Sequence, residues 1–212
     1  VLLIGATHSF DETPSPDILL VPGGITTFEH ARDEKLLDWV RPAHQTATWT
    51  ASVCSGSVIL AAAGLLKGKR ATSHWMAVPM LKTFGVTPVG DERIVREGDI
   101  VTCAGVSAGI DLGMWLAGEI AGEARAKAIQ LTIEYDPQPP FDSGHLSKAS
   151  AATKATATAM LSKETVKAGQ LVPSTLLLWD QALRAVRSKR FRRANARSES
   201  LTAPKSPRGL RR

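Results

Sequence analysis

Five positions in this sequence have the types and spacing that covalent catalysis needs: Gly23, Gly24, Cys54, Ser55 and His74. Cys54 stands in Ala47-Thr-Trp-Thr-Ala-Ser-Val-Cys-Ser-Gly-Ser-Val-Ile-Leu-Ala-Ala-Ala-Gly64. A β-branched run leads up to it, and small residues leave it into a helix that Gly64 can end. This reads as strand, sharp turn, helix, with the cysteine on the turn. Such an elbow lifts a side chain clear of a sheet and sets it at a helix N-terminus. There, free N–H groups and the positive end of the helix dipole favour thiolate over thiol. Thiolate is the nucleophilic form. The bland alternative is a small buried apolar thiol, the commoner fate of a free cysteine. Cys103, in Ile100-Val-Thr-Cys-Ala-Gly105, fits that description well. For Cys54 the flanking pattern leaves both readings open.

A nucleophile that attacks an unsaturated carbon needs donors for the charge that develops. Gly23-Gly24 offers bare backbone N–H groups where a Cβ would crowd a ligand. The N–H of Gly24 with that of Ser55, the residue after the nucleophile, could form an oxyanion hole. Loss of one such donor typically costs about 10²–10³ in rate. A Pro-Gly-Gly alone is also an ordinary tight turn, so it gains weight only beside the elbow. No histidine follows Cys54 directly. His74, in Thr72-Ser-His-Trp75, is the remaining candidate to orient a substrate or pass a proton, against a packing role with Trp75. Asp111 suits the start of a helix better than catalysis. The five histidines (His8, His30, His44, His74, His145) are scattered without metal-ligand spacing, and no phosphate loop is present, so neither metal nor cofactor is expected.

Elements able to position these residues alternate along the chain. Asp17 to Pro22 is a buried-strand run ending in Pro22-Gly23-Gly24, and 28–40 is helical in pattern. Strand 48–53 precedes the elbow helix. An extended piece at 70–73 and a helix-like segment at 76–84 follow. Arg93-Ile-Val-Arg and Ile100-Val-Thr-Cys103, joined by Glu97-Gly98-Asp99, form a hairpin. Helices are expected over 109–120 and 122–134. The alternation argues an α/β domain with a mostly parallel sheet. In such sheets ligands bind at the carboxyl ends of the strands, and Cys54 and Gly24 both fall there, so they could face one pocket.

From Pro137 the chain changes character. Asp136-Pro-Gln-Pro-Pro-Phe141 is a stiff strap. Segment 149–163 suits a marginal helix, and 176–191 carries Trp179, Leu183 and Val186 at helical spacing. The end, 198–212, has the composition of disorder. Charge divides the same way. Residues 1–150 carry 12 basic and 17 acidic groups, net −5, and 151–212 carry 14 and 3, net +11. We therefore expect a domain over 1–145 and a basic, partly helical or disordered extension over 146–212. The extension, with Lys189-Arg190-Phe191-Arg192-Arg193, is a candidate nuclear signal or a contact for nucleic acid or another acidic surface, or a solvated appendage. No apolar run reaches the roughly 18 residues of a membrane span. Two cysteines make no disulfide framework, and a working thiol suits a reducing, cytoplasmic setting.

Together these motifs resemble a family. Pro22-Gly23-Gly24, Ser52-Val-Cys-Ser-Gly-Ser57, Ala61-Ala-Ala-Gly-Leu-Leu-Lys-Gly-Lys-Arg-Ala-Thr-Ser-His-Trp75 and Gly105-Val-Ser-Ala-Gly-Ile-Asp111 look like the ThiJ/PfpI superfamily, of the class I glutamine amidotransferase-like fold. Gln130-Leu-Thr-Ile-Glu-Tyr-Asp-Pro-Gln-Pro-Pro-Phe141 is similar to its isocyanide hydratase branch. The resemblance covers residues 1 to about 145. It implies a flavodoxin-like α/β/α sandwich, a homodimer, a small-molecule substrate, and addition of water to an isocyanide to give an N-substituted formamide. Cys54 would be the nucleophile, with the backbone of Gly24 and Ser55 around the intermediate and Gly23 and His74 in the pocket. Ser55 replaces the threonine usual in the hydratases and keeps the hydroxyl.

Two departures accompany the resemblance. The family's first strand and helix, with the acidic side chain that hydrogen-bonds the cysteine, precede the point where this sequence starts. An uncovered sheet edge and apolar surface are expected as a result. The extension after 146 also does not follow the family's closing helix. The alternatives are a glyoxalase or deglycase acting on reactive carbonyls, which Ser55 after Cys54 argues against, and a ligand-sensing or redox-sensing domain without turnover.

Overall fold

The structure, a computed structural model, describes residues 4–202, with side chains as far as 187. Four strands form the main sheet: β1 (Ile18–Val21), β2 (Trp49–Ser52), β5 (Ile94–Glu97) and β6 (Ile100–Cys103), in the order β1-β2-β6-β5. β1, β2 and β6 run parallel, and β5 returns antiparallel as the expected hairpin. Ala51 of β2 stands opposite Leu20 of β1 and Val101 of β6. Two short pieces, β3 (Arg70–Ala71) and β4 (Thr87–Pro88), pair parallel in a separate sheet.

Helices cover both faces of the main sheet, as an α/β sandwich requires. On one face α2 (Glu34–Thr46) and α3 (Gly56–Ala62) close over Leu19 and Val21. Leu37, Val40, Val58, Leu60 and Leu66 are fully buried there, each leucine contributing about 2 kcal/mol by removal from water. On the other face α5 (Ala108–Ala121) sets Ala108 and Leu112 on Ala51, Val101 and Cys103. β6 is buried at every position, the pattern of a central strand covered on both faces. β1 alternates instead, with Leu19 and Val21 buried and Ile18 and Leu20 exposed by 39% and 51%. β1 is thus an edge of the sheet among the described residues, with apolar side chains exposed on one face.

The helical pattern over 28–40 resolves into two helices, α1 (Thr27–His30) and α2. The break has a local cause. Asp33 caps α2, its carboxylate accepting from the N–H groups of Lys35 and Leu36 at 3.0 and 3.3 Å. α2 then continues through Pro42, where one N–H is lost, because Leu37, Val40 and Ala43 keep its inner face buried.

Residues 146–202 are more helical than their composition suggests. α7 (Ala151–Lys167) starts at Ser150, whose hydroxyl accepts from the N–H of Thr153 at 3.1 Å. α8 (Leu171–Thr202) follows and includes 198–202, where disorder was expected. α8 packs on the domain through Leu177, which is 2% exposed, and through an Arg32–Asp180 ion pair at 3.1 Å. The helix takes shape because it has this face to bury. The side chains of the basic run 189–193 and all of 203–212 lie outside the described residues. No helix among the described residues is long and apolar enough to cross a membrane.

Candidate active site

The sheet delivers Cys54 at the carboxyl end of β2, one residue past Val53, whose N–H donates to Val21 O at 3.1 Å. Cys54 itself has φ +60°. That left-handed conformation costs an L-residue roughly 1–2 kcal/mol and persists only where neighbours enforce it. Three bonds do so. The Cys54 N–H donates to Ala104 O at 2.9 Å, the Cys54 carbonyl accepts from Ser73 Oγ at 2.9 Å, and the Gly56 N–H donates to Val53 O at 3.0 Å. The side chain is left half-buried at the start of α3. A strained residue between a central strand and a helix is the geometry of a nucleophile elbow. Gly56 is required for it, because a Cβ there would stand 2.1 Å from Val21 O.

The Pro22-Gly24 turn lies directly against the elbow. A Cβ at Gly23 would meet Ser55 N at 2.4 Å and Ser55 Oγ at 2.6 Å, whereas one at Gly24 would meet nothing within 4 Å. The missing side chain at Gly23 therefore accommodates Ser55, a different reason from the room for a ligand inferred from the sequence. The Gly24 N–H, nominated as an oxyanion donor, donates to Thr27 Oγ1 at 2.9 Å. Thr27 Oγ1 also lies 2.8 Å from Ser55 Oγ and donates to Gly24 O at 2.8 Å. Thr27 and Ser55 are 2% and 9% exposed. The Ser55 N–H has no hydrogen-bond partner among the described residues.

A cavity of about 420 Å³ opens beside the elbow. Ser73, His74, Ala104 and Gly105 form one wall, and two of these, Ser73 and Ala104, are the residues bonded to the Cys54 backbone. Residues within 143–157, including His145, Leu146 and Lys154, also line it. His145 fastens this segment to the domain, its Nε2 lying 3.0 Å from Gly90 O. His74 is thus a wall residue, and Gly23, Gly24, Cys54 and Ser55 are not among the lining side chains. The Nδ1 of His74 accepts from the Met76 N–H at 3.4 Å, which leaves the ring proton on Nε2. Burial lowers the His74 pKa below its ordinary value, favouring the neutral ring. Its ring also lies 5.6 Å from that of Trp75, so the cavity and packing descriptions hold together.

The two cysteines differ as their contexts require. Cys103 is fully buried under α5, and burial pushes its thiol up to about 11. Asp111, in the first turn of α5, accepts from Arg93 Nε at 2.5 Å and from the Tyr135 hydroxyl at 2.6 Å. It therefore ties the hairpin and the Glu134-Tyr135 segment to α5. Sequence reasoning missed Thr27 and Ser73, since each reaches the elbow across long stretches of chain.

The chain is similar to several known proteins. Over 143 residues the chain is 46% identical to the isonitrile hydratase of Pseudomonas putida, covering 68% of this chain and 62% of that protein. It is 34% identical over 107 residues to the HTH-type transcriptional regulator CdhR of Pseudomonas aeruginosa, covering 50% of this chain and 32% of the regulator. The chain thus spans under two thirds of the length of both relatives. A crystal structure of a ThiJ/PfpI family protein from Pseudomonas syringae superposes with a TM-score of 0.74 at 36% identity, covering 83% of this chain and 71% of that one. The DJ-1/PfpI family matches residues 3–118, a stretch that holds the Pro22-Gly24 turn, the Cys54 elbow, His74 and the hairpin, and the chain belongs to that family.

Proposed function

We propose that the chain is a cysteine-dependent hydratase that adds water to an isocyanide and releases an N-substituted formamide. The observation that carries this reading is Cys54, held at φ +60° between a central parallel strand and a helix, beside a cavity. The 46% identity to isonitrile hydratase supports the choice of substrate.

In this reading the Cys54 thiolate attacks the terminal isocyanide carbon. A C–S bond forms, the carbon takes up a proton, and a thioimidate results. Water then adds to that carbon, the nitrogen is protonated, and the C–S bond breaks to return the thiolate and release the formamide. The net change is addition of one water. The Ser55 N–H steadies the oxygen that gains charge during water attack, with the Gly23-Gly24 turn held against it. His74, neutral and carrying its proton on Nε2, passes protons between water and the intermediate. The cavity holds the isocyanide substituent, and its wall from 143–157 shapes which substituents fit.

Formamide production from an aryl isocyanide, by the chain and by its Cys54→Ala variant with folding followed by circular dichroism, tests the reading. Turnover that disappears in Cys54→Ala is expected. A folded chain that binds the isocyanide without turning it over would instead favour a ligand-sensing domain.

A further inference from the structure

The structure assigns Thr27 as a positioning residue for the group that stabilises charge beside Cys54. This rests on the reading of Cys54 as a nucleophile but not on the identity of its substrate. Thr27 lies 28 residues from Ser55 in sequence, yet its hydroxyl joins the glycine turn to the residue after the nucleophile.

The hydrogen-bond arithmetic is closed. A hydroxyl has one proton and two lone pairs. The Gly24 N–H takes one lone pair of Thr27 Oγ1 at 2.9 Å, and the Thr27 proton goes to Gly24 O at 2.8 Å. Ser55 Oγ, at 2.8 Å, must then donate into the second lone pair, because its other acceptor, Gly24 O, is 3.5 Å away. All three groups are satisfied, and the Thr27–Ser55 bond is buried, with Thr27 2% exposed. The Ser55 rotor is pinned. Its backbone N–H sits where a Gly23 Cβ would come within 2.4 Å of the nitrogen, and that N–H is without a partner among the described residues. Thr27 therefore clamps the turn onto Ser55 and fixes an elbow donor that has no protein partner among the described residues. Valine has nearly the shape of threonine and can supply none of these bonds.

The test separates charge stabilisation from thiol reactivity. p-Nitrophenyl acetate acylates a cysteine through an oxyanion: the thiolate attacks the carbonyl carbon, a C–S bond forms, and p-nitrophenolate leaves with the C–O electron pair. Iodoacetamide alkylates the same sulfur with loss of iodide and no oxyanion. Thr27→Val should slow the Cys54-dependent acylation burst about tenfold, as expected for a donor displaced by a fraction of an ångström. Its alkylation by iodoacetamide should stay within twofold of the unmodified chain, and Thr27→Ser should restore acylation. Ser55→Ala cuts the clamp from its other end, should be slowed alike, and should make a further Thr27→Val change silent. The assignment is overturned if Thr27→Val acylates at the normal rate, or if acylation and alkylation fall together. It is equally overturned if Thr27→Val adds its full effect on the Ser55→Ala background, or if the unmodified chain gives no burst while Cys54 alkylates normally. A clamp-dependent burst without isocyanide turnover would remove the hydratase reading and leave the assignment standing.

Discussion

A single methyl group at Gly23 should damage both the fold and the reaction, by amounts the geometry sets. The Cβ of Gly23→Ala would stand 2.4 Å from Ser55 N, 2.6 Å from Ser55 Oγ and 2.9 Å from Gly56 N, where ordinary contact begins near 3.4 Å. The turn and the elbow must part by about 1 Å, the shortfall at Ser55 N. Two of the three obstacles are backbone atoms, which cannot swing aside as a flexible side chain would. Forcing a methyl into such a site costs about 1–3 kcal/mol. Displacing a catalytic donor by the same distance costs about 10² in rate. Gly24→Ala is the control, because its Cβ meets nothing within 4 Å. Urea denaturation followed by circular dichroism would give the stabilities, and formamide production the rates. Gly23→Ala should lose about 1–3 kcal/mol and about 100-fold in kcat, and Gly24→Ala should stay within about 0.5 kcal/mol of the parent. Equal stability of the two variants, with full turnover in Gly23→Ala, would refute the close approach of turn and elbow.

Two further outcomes follow from the titrating groups. With its thiol pushed up to about 11, Cys103 has about one molecule in a thousand ionised at pH 8, so iodoacetamide should label Cys54 alone until denaturant is added; equal labelling of both in the folded chain would contradict its burial. For His74, whose folded pKa is lowered by burial, protons bind the unfolded chain more tightly. Its contribution to stability is therefore complete above the ordinary value of 6.5 and lost as pH falls through the lower folded value. The stability difference between the parent and His74→Gln should move against the parent from pH 7 to pH 5, and a flat difference would mean that His74 is not desolvated.

The parts of the fold carried by local pattern were legible in the sequence. β1, β2 and the hairpin announce themselves as β-branched runs ended by glycine or a polar turn, and the elbow shows as a strand leading into small residues. The break between α1 and α2 was missed, because the apolar stripe runs on past it, although its cause, the Asp33 cap, is local. β3 and β4, at two residues each, are too short to show any period. α8 looked irregular from 198 because its helical state draws on Leu177 and Asp180 meeting the domain, contacts that composition cannot contain. At the site, the conformation of Cys54 was implied by its neighbours, while Thr27 and Ser73 were not. Each is bonded to the elbow from another element, 28 and 19 residues away along the chain. The role of Gly23 shifted for the same reason: the atom that excludes a side chain belongs to Ser55, not to a ligand.

The most direct test is to quench the chain during turnover of an aryl isocyanide and map the adduct by peptide mass spectrometry. The account predicts an added mass equal to one isocyanide on the peptide carrying Cys54, none on that carrying Cys103, and no formamide from Cys54→Ala. Formamide production that persists in a folded Cys54→Ala variant would contradict it.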